Sequence, residues 1–346
     1  MKSKVAAKDI AFYHATRRDF LKVSGLSAGA LAMDQFLNVP LGYAREVKGV
    51  YPSKSIQYIV PNSPGGGYDI IGRAMGPYIT KYLRSLTPGA TGGDIVVRNE
   101  PRKGYPILFN AKPDGYSIGM MDTSPYIDNL LGTAEVDFTK YTFLQLVVST
   151  TKLITANKKG FNTWNEAVNA QKKDTLKMGV GFFARANHVC GIIANEKMGT
   201  KFKLIPFRGT ADCLGALMRG DIDTAMVSED SSKTLIDAQE IKVLLSFSDR
   251  TDYPGAVNVK ELGYPELIDQ ISSHRIIIGP PNLAAEPKRL LLASLKKTCE
   301  DPVFMAWAQK ANYPIKRVLG ADAEAFFLKF VKFYNEMAPV LKRYLA

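Results

Sequence analysis

Ile56-Gln57-Tyr58-Ile59-Val60-Pro61-Asn62-Ser63-Pro64-Gly65-Gly66-Gly67-Tyr68-Asp69-Ile70-Ile71 is the stretch on which the fold turns. Five residues of a short, mostly apolar run end at Pro61, and a loop with three successive glycines follows. Beyond it Ile70, Ile71, Ala74, Met75, Tyr78, Ile79, Tyr82 and Leu83 recur at spacings of one, three and four, the signature of one helix face. Pro77 falls inside that pattern and is expected to kink or restart the helix. Strand, glycine turn and helix in this order form the opening unit of an α/β fold.

The same alternation continues outward. Residues 95–97 and 116–121 read as strands, the second introduced by the turn Pro113-Asp114-Gly115. Residues 176–181, 203–205, 222–227 and 243–247 read as further strands, with helices between them. Thr210 is expected to N-cap one helix, and Gly220 to end it. From Glu286 onward the pattern is helical throughout. Such alternation predicts mostly parallel sheets flanked by helices. A helical tail has no sheet of its own, so the chain is expected to leave a first lobe and return to it. With the crossings near Lys152 and Ser272, residues 45–152 and 273–346 make one lobe and 153–272 the other.

The first 44 residues read as an address rather than a part of the fold. Arg17-Arg18-Asp19-Phe20-Leu21-Lys22 precedes a weakly apolar run, Val23 to Met33, and Gly42-Tyr43-Ala44 offers a small-x-small cleavage site. A paired arginine before a mild apolar segment is a twin-arginine export signal. The run is too short to span a bilayer, which needs roughly 20 residues. The expected location is therefore periplasmic. Cleavage removes six basic residues (Lys2, Lys4, Lys8, Arg17, Arg18, Lys22) and three acidic ones (Asp9, Asp19, Asp34), so the formal charge falls from +12 to +9. A positive field suits anionic solutes. The basic residues are scattered without aromatic interleaving, which argues against nucleic acid. Cys190, Cys213 and Cys299 cannot all pair and sit among apolar residues, so buried free thiols are expected. His188 and His274 alone in the mature chain offer no zinc site, and no cofactor is expected.

The glycine loop suits anion capture, because backbone N–H groups and the partial positive charge of a helix start point at whatever the loop holds. It lacks the third glycine of a dinucleotide fingerprint and the Gly-Lys-Ser/Thr of a P-loop. Two more strand-to-helix loops, Gly181 to His188 and Pro206 to Thr210, each bring an arginine, Arg185 and Arg208. Loops of this kind gather at the carboxyl ends of strands, where α/β sheets bind ligands, and arginine forks match carboxylates.

At these residues the chain resembles the substrate-binding proteins of tripartite tricarboxylate transporters, the Bug family. The agreement runs through Tyr51-Pro52-Ser53-Lys54, Pro64-Gly65-Gly66-Gly67-Tyr68-Asp69-Ile70, Arg73 and Lys112-Pro113-Asp114-Gly115-Tyr116. It continues with Thr123-Ser124, His188, Ile205-Pro206-Phe207-Arg208-Gly209, Gly220-Asp221-Ile222-Asp223 and Gly279-Pro280-Pro281, covering about residues 51–340. The resemblance implies a two-lobed, type II periplasmic binding fold that closes on a small organic carboxylate. It also implies capture by backbone N–H groups and bridging waters, with one large and one small membrane subunit as partners. The candidate contacts are Gly66, Gly67, Tyr68 and Asp69 in the first loop, and Phe183, Ala184, Arg185, Ala186 and Asn187 in the second. Arg208, Gly209 and Thr210 follow in the third, with Ser124, Asp230 and Arg275 beside them.

The chain departs from the family pattern in three places. The glycine-rich stretch after Arg98-Asn99-Glu100-Pro101 is shortened to Arg102-Lys103-Gly104-Tyr105-Pro106. The second loop, usually small and Ser-rich, carries Phe182, Phe183 and Arg185. His274 and Arg275 replace a usual aromatic at the returning crossover. Arg185 is the residue expected to fork the ligand's distal charge, with a phenyl ring of the same loop on its body.

No catalytic constellation is visible. His188 and Cys190 are two residues apart on a helix and point in different directions. Asp69 is expected to cap the helix that follows the glycine loop, where a carboxylate complements the dipole. Three uses of the pocket remain: delivery to a transporter, ligand sensing for a membrane kinase and, remotely, catalysis by an exported enzyme. A monomer is expected.

Overall fold

The structure is a computed structural model that describes residues 50–345 apart from Arg102. The expected export signal with Arg17 and Arg18, and the first residues of the expected first lobe, lie outside the described residues. The fold opens with β1 (Ile56–Val60), α1 (Gly67–Leu86), β2 (Ile95–Asn99), α2 (Gly104–Phe109), β3 (Ser117–Met121) and α3 (Tyr126–Leu131). A long strand, β4 (Thr142–Asn157), leads into α4 (Trp164–Ala170), β5 (Lys177–Val180), α5 (Ala186–Met198), β6 (Lys203–Pro206) and α6 (Thr210–Arg219). Next come β7 (Thr224–Ser228), α7 (Glu229–Asp237), β8 (Ile241–Ser246) and β9 (Val257–Asn258). The chain closes with β10 (Ser272–Gly279), α8 (Ala285–Thr298), α9 (Pro302–Lys310), β11 (Ile315–Leu319), α10 (Gly320–Glu336) and α11 (Ala338–Leu345).

The strands join in the order β2-β1-β3-β10-β4-β7-β5-β6, with β11 and β8 also on β4. β1 is parallel to β2 and β3, and β5 is parallel to β6 and β7. Every antiparallel pairing among the described residues involves β4 or β10. β4 changes partners along its 16 residues. Up to Thr151 it pairs with β10 and β11, and from Lys152 it pairs with β7 and β8. Ser272, the other expected crossing, lies opposite Thr151.

Burial explains which segments became which element. Ile71, Met75, Ile79 and Leu83 of α1 are fully buried and share a core with Ile56, Tyr58 and Val60 of β1 and Leu291 and Leu295 of α8. Burying each such aliphatic side chain contributes about 1.5–3 kcal/mol. A second cluster gathers Phe143, Leu146, Phe327, Phe330 and Tyr334 with Val189 and Ile192.

Several sequence expectations need correction. α1 runs through Pro77 without a break. Pro77 and Arg73 both lie on the exposed face, so the Arg73 carbonyl that loses its partner is open to water. Ile70 belongs to the apolar pattern of the helix face but is 42% exposed. The C-terminal part is not all helical, because β11 intervenes and pairs with β4. Its sequence, Ile-Lys-Arg-Val-Leu, carries two exposed charges and no strong strand signal. Thr210 is the first residue of α6 rather than its cap, and the cap position belongs to Gly209, with no side-chain bond. No helix among the described residues is long and apolar enough to cross a membrane.

Candidate ligand-binding site

The glycine loop divides its labour between conformation and space. Gly65 sits at φ +81°, in the left-handed region that favours glycine. At Gly67 a Cβ would lie 2.9 Å from Nη2 of Arg275, so the missing side chain makes room for a guanidinium. Asp69 is buried in the first turn of α1. Its carboxylate accepts from Gly65 N–H at 2.9 Å and from Arg73 Nε at 2.9 Å, which holds it below the usual carboxylate range. Asp69 therefore braces the loop from inside the helix. The cap position of α1 belongs to Gly66 and not to Asp69, which sits inside the first turn where its charge still suits the helix start and its oxygens are already engaged.

Arg275 extends from β10 to the start of α1. Its Nη2 donates to Asp230 Oδ2 of α7 at 3.0 Å, and both side chains are only 13% exposed. The guanidinium carbon lies 5.9 Å from the ring centre of Tyr68 and 5.3 Å from that of Tyr313. Its Nη1 is buried without a hydrogen-bond partner among the described residues. Burial and the neighbouring Asp122 carboxylate push the Tyr68 phenol well above its ordinary range. Asp122 in turn accepts from Ser124 N–H at 2.8 Å and from Ser124 Oγ at 2.7 Å.

A second cation stands beside this one. Lys152 is 1% exposed, and its ammonium donates at 2.6 Å to each of Asn187 Oδ1, Ser228 Oγ and Ser273 Oγ. All three acceptors are neutral, so burial lowers the affinity of this amine for its proton. The sequence reading used Lys152 only as a boundary. The available signal was a single charged residue between the apolar stretches Leu146 to Val148 and Leu153 to Ile154. Together the two cations wire three helix starts into one place: α1 at Gly67, α5 at Asn187 and α7 at Asp230. None of these helices has a bond from its N-cap side chain, and in α7 only the Ser231 N–H meets a side chain, Asp230 Oδ1 at 3.0 Å.

The second loop is held in a different way. Ala184 adopts φ +54°, and its N–H donates to Nδ1 of His188 at 3.0 Å. A left-handed alanine costs about 1–2 kcal/mol, which the ring nitrogen offsets. Burial lowers the His188 pKa, in keeping with this acceptor role. Phe182 and Phe183 are more than half exposed, and Phe183 lies 4.9 Å from the His188 ring. Arg185 is exposed, and its Nη1 meets Asp128 Oδ1 of α3 at 2.9 Å. The third loop is less integrated. Phe182 approaches Gly209, whereas Arg208 is exposed and makes no side-chain bond or ion pair with another described residue. Thr210 is half-buried at the start of α6, and Ala186 opens α5.

His274 turns to the other side of β10. It is fully buried, with Nδ1 on Ser149 Oγ at 2.9 Å and Nε2 on the Asp269 carbonyl at 2.6 Å. Burial pushes its pKa down to about 4, so it is a neutral structural group. Cys190, Cys213 and Cys299 are buried free thiols, pushed up to about 11, 12 and 11 by burial. Asp69 and Asp230 are engaged by different arginines, Arg73 and Arg275, and do not form a carboxylate pair. Among the described residues no cluster of three His, Cys, Asp or Glu could hold a metal.

Residues 90–318 match the family model described as the tripartite tricarboxylate transporter family receptor. A protein encoded in the TAR-I ttuE-ttuC' intergenic region of Agrobacterium vitis is 24% identical over 335 residues, covering 93% of each chain. The crystal structure of a TctC solute binding protein from Polaromonas superposes with a TM-score of 0.70 at 23% identity, over 85% of this chain and all of that one. R. palustris Rpa4515, solved with adipate, gives 0.68 at 16% identity over 84% of this chain and 98% of its own.

Proposed function

The chain belongs to the tripartite tricarboxylate transporter family receptors, and from that premise we propose that it captures a small organic carboxylate in the periplasm for transport. The observation that carries this reading is the meeting, at Lys152 and Arg275, of three helix starts that have no N-cap side-chain bond. Amides at helix starts and a guanidinium with a free nitrogen favour a carboxylate, and they stay put when it arrives. The adipate held by a protein of the same fold is an acid of this class. Residues 45–152 with 273–346 form one lobe and 153–272 the other, and they close over the ligand by flexing β4 and β10. Ligand-bound protein, acting as a monomer, is delivered to one large and one small membrane subunit.

Thermal-shift screening of organic acids tests capture. A single site at about 100-fold saturation adds roughly 2.7 kcal/mol. A broad acid panel without a hit, next to stabilisation by sugars or cations, removes the proposal. Export is proposed to follow the twin-arginine route. Lysine at both Arg17 and Arg18 then leaves an uncleaved precursor in the cytoplasm, because the receptor reads the pair itself. Normal periplasmic yield from that double variant excludes the route.

A further inference from the structure

A cavity of about 740 Å³ opens between α7 and α9, next to Arg275. Its volume lies within the range of small-molecule sites, roughly 300–1,000 Å³. Met305, Ala306, Tyr313 and Ile315 give it an apolar wall, and Thr150 and Asp230 belong to its polar end. Thr150 is 2% exposed, and its hydroxyl has no hydrogen-bond partner among the described residues. Thr150 pairs in register with Ser273, and Arg275 follows two residues along the same strand, on the same face. The Arg275 guanidinium abuts two of the lining residues: it bonds Asp230 and lies over the ring of Tyr313. Its Nη1 is the second buried donor without a partner here. Buried polar atoms are almost always satisfied in native proteins. Two buried polar atoms on one face of the β4–β10 pair, beside one apolar cavity and without a partner among the described residues, suit an acceptor brought by a ligand.

We propose that this cavity is the subsite for the ligand's body, and that the protein takes monocarboxylates with a hydrocarbon or aromatic body. This rests on the carboxylate-capture reading above and narrows it. The acid's oxygens accept from the Thr150 hydroxyl and Arg275 Nη1, and the body lies along Met305, Ala306 and Ile315. A compact polycarboxylate fits badly for two reasons. Its further charges would be desolvated against an apolar wall. They would also face Glu229 and Asp230, which line the cavity, while Lys233, which lines it too, is already paired with Asp237.

Titration calorimetry of the full chain with 3-phenylpropionate and with malate tests this, using the parent, Thr150→Val and Ala306→Trp. Ala306 is exposed at the cavity wall, so tryptophan there fills the space without entering the core. In the parent, 3-phenylpropionate binds at least tenfold tighter than malate, and either substitution weakens it at least tenfold. Thr150→Val without ligand melts at or above the parent, because the valine removes an unpaired hydroxyl. Unchanged affinity for 3-phenylpropionate in either variant overturns the subsite. Malate binding with 3-phenylpropionate silent also overturns it and leaves carboxylate capture standing. Silence of both acids and of the broad acid panel removes capture as well.

Discussion

Arg185 and Asp128, 57 positions apart in the chain, meet with Nη1 2.9 Å from Oδ1 and tie the start of α5 to α3. Their side chains are 48% and 26% exposed, so the pair is worth no more than about 1 kcal/mol. A contact that weak can be exchanged for a ligand carboxylate. For an acid that carries a second carboxylate, Arg185→Ala is expected to reduce affinity about ten- to a hundredfold with little change in unliganded melting, whereas a monocarboxylate seated at Thr150 and Arg275 binds Arg185→Ala as it binds the parent. Asp128→Asn, which frees the guanidinium, is expected to raise affinity for the acid with two carboxylates a few-fold. Calorimetry on both variants decides the point, and parental affinity for that acid in Arg185→Ala moves the specificity elsewhere.

The Asp230–Arg275 pair is of another kind, since both partners are withdrawn from water. Removing one charge strands the other. Asp230→Asn is expected to cost about 2–4 kcal/mol in urea unfolding. Pairing it with Arg275→Gln should recover part of that loss, because no lone charge then remains buried. A single-variant loss below about 0.5 kcal/mol would mean that water reaches the pair more freely than its burial indicates.

Acid sensitivity has a defined source in His274. Its folded pKa of about 4 lies below the ordinary value of 6.5, so the unfolded chain takes up the proton first. Stability tied to this group is complete above about pH 6.5 and drains away as pH falls toward 4, by as much as about 3 kcal/mol. His274→Gln should flatten that stretch of the stability curve. An unchanged slope between pH 6.5 and 4 in the variant would assign the loss to His188 or to the carboxylates.

Asp301 works lower on the same axis. It caps α9 through Val303 N–H and Phe304 N–H, and it accepts from Lys81 Nζ and Tyr82 Oη of α1, each at 2.8 Å. These donors pull its pKa down to about 2, so its contribution is present above about pH 4 and lost as pH falls through 2. Asp301→Ala is expected to cost about 1–3 kcal/mol at neutral pH. Chemical denaturation measures it, and a melting curve like the parent's would show that α1 and α9 dock without the cap.

The strand-to-helix units were legible because each strand is a short apolar run bounded by glycine or proline. β1, β3, β5 and β6 fall within a residue or two of expectation. β4 was missed because Ser149, Thr150, Thr151 and Lys152 interrupt its apolar run, although all four positions are strand. β11 was missed because, as a short charged strand on β4, it has little apolar pattern to read. Within the site, the three loops were legible from glycine and arginine chemistry. Lys152 and the Asp128 partner of Arg185 were not, since both depend on segments that meet only after the chain has folded.

The length of β4 gives the protein an unequal tolerance to two kinds of genetic change. Its sixteen residues hold register with β10 and β11 on one stretch and with β7 and β8 on the next. A substitution perturbs one of these pairings, and neighbouring side chains can adjust to it. Deleting a single codon near Thr150 would instead turn Lys152 and every later side chain of the strand to the opposite face. Natural drift can therefore revise the strand's composition but not its length. In a library carrying both kinds of lesion across residues 142–157, substitutions should often survive and single-residue deletions should be nearly all lost.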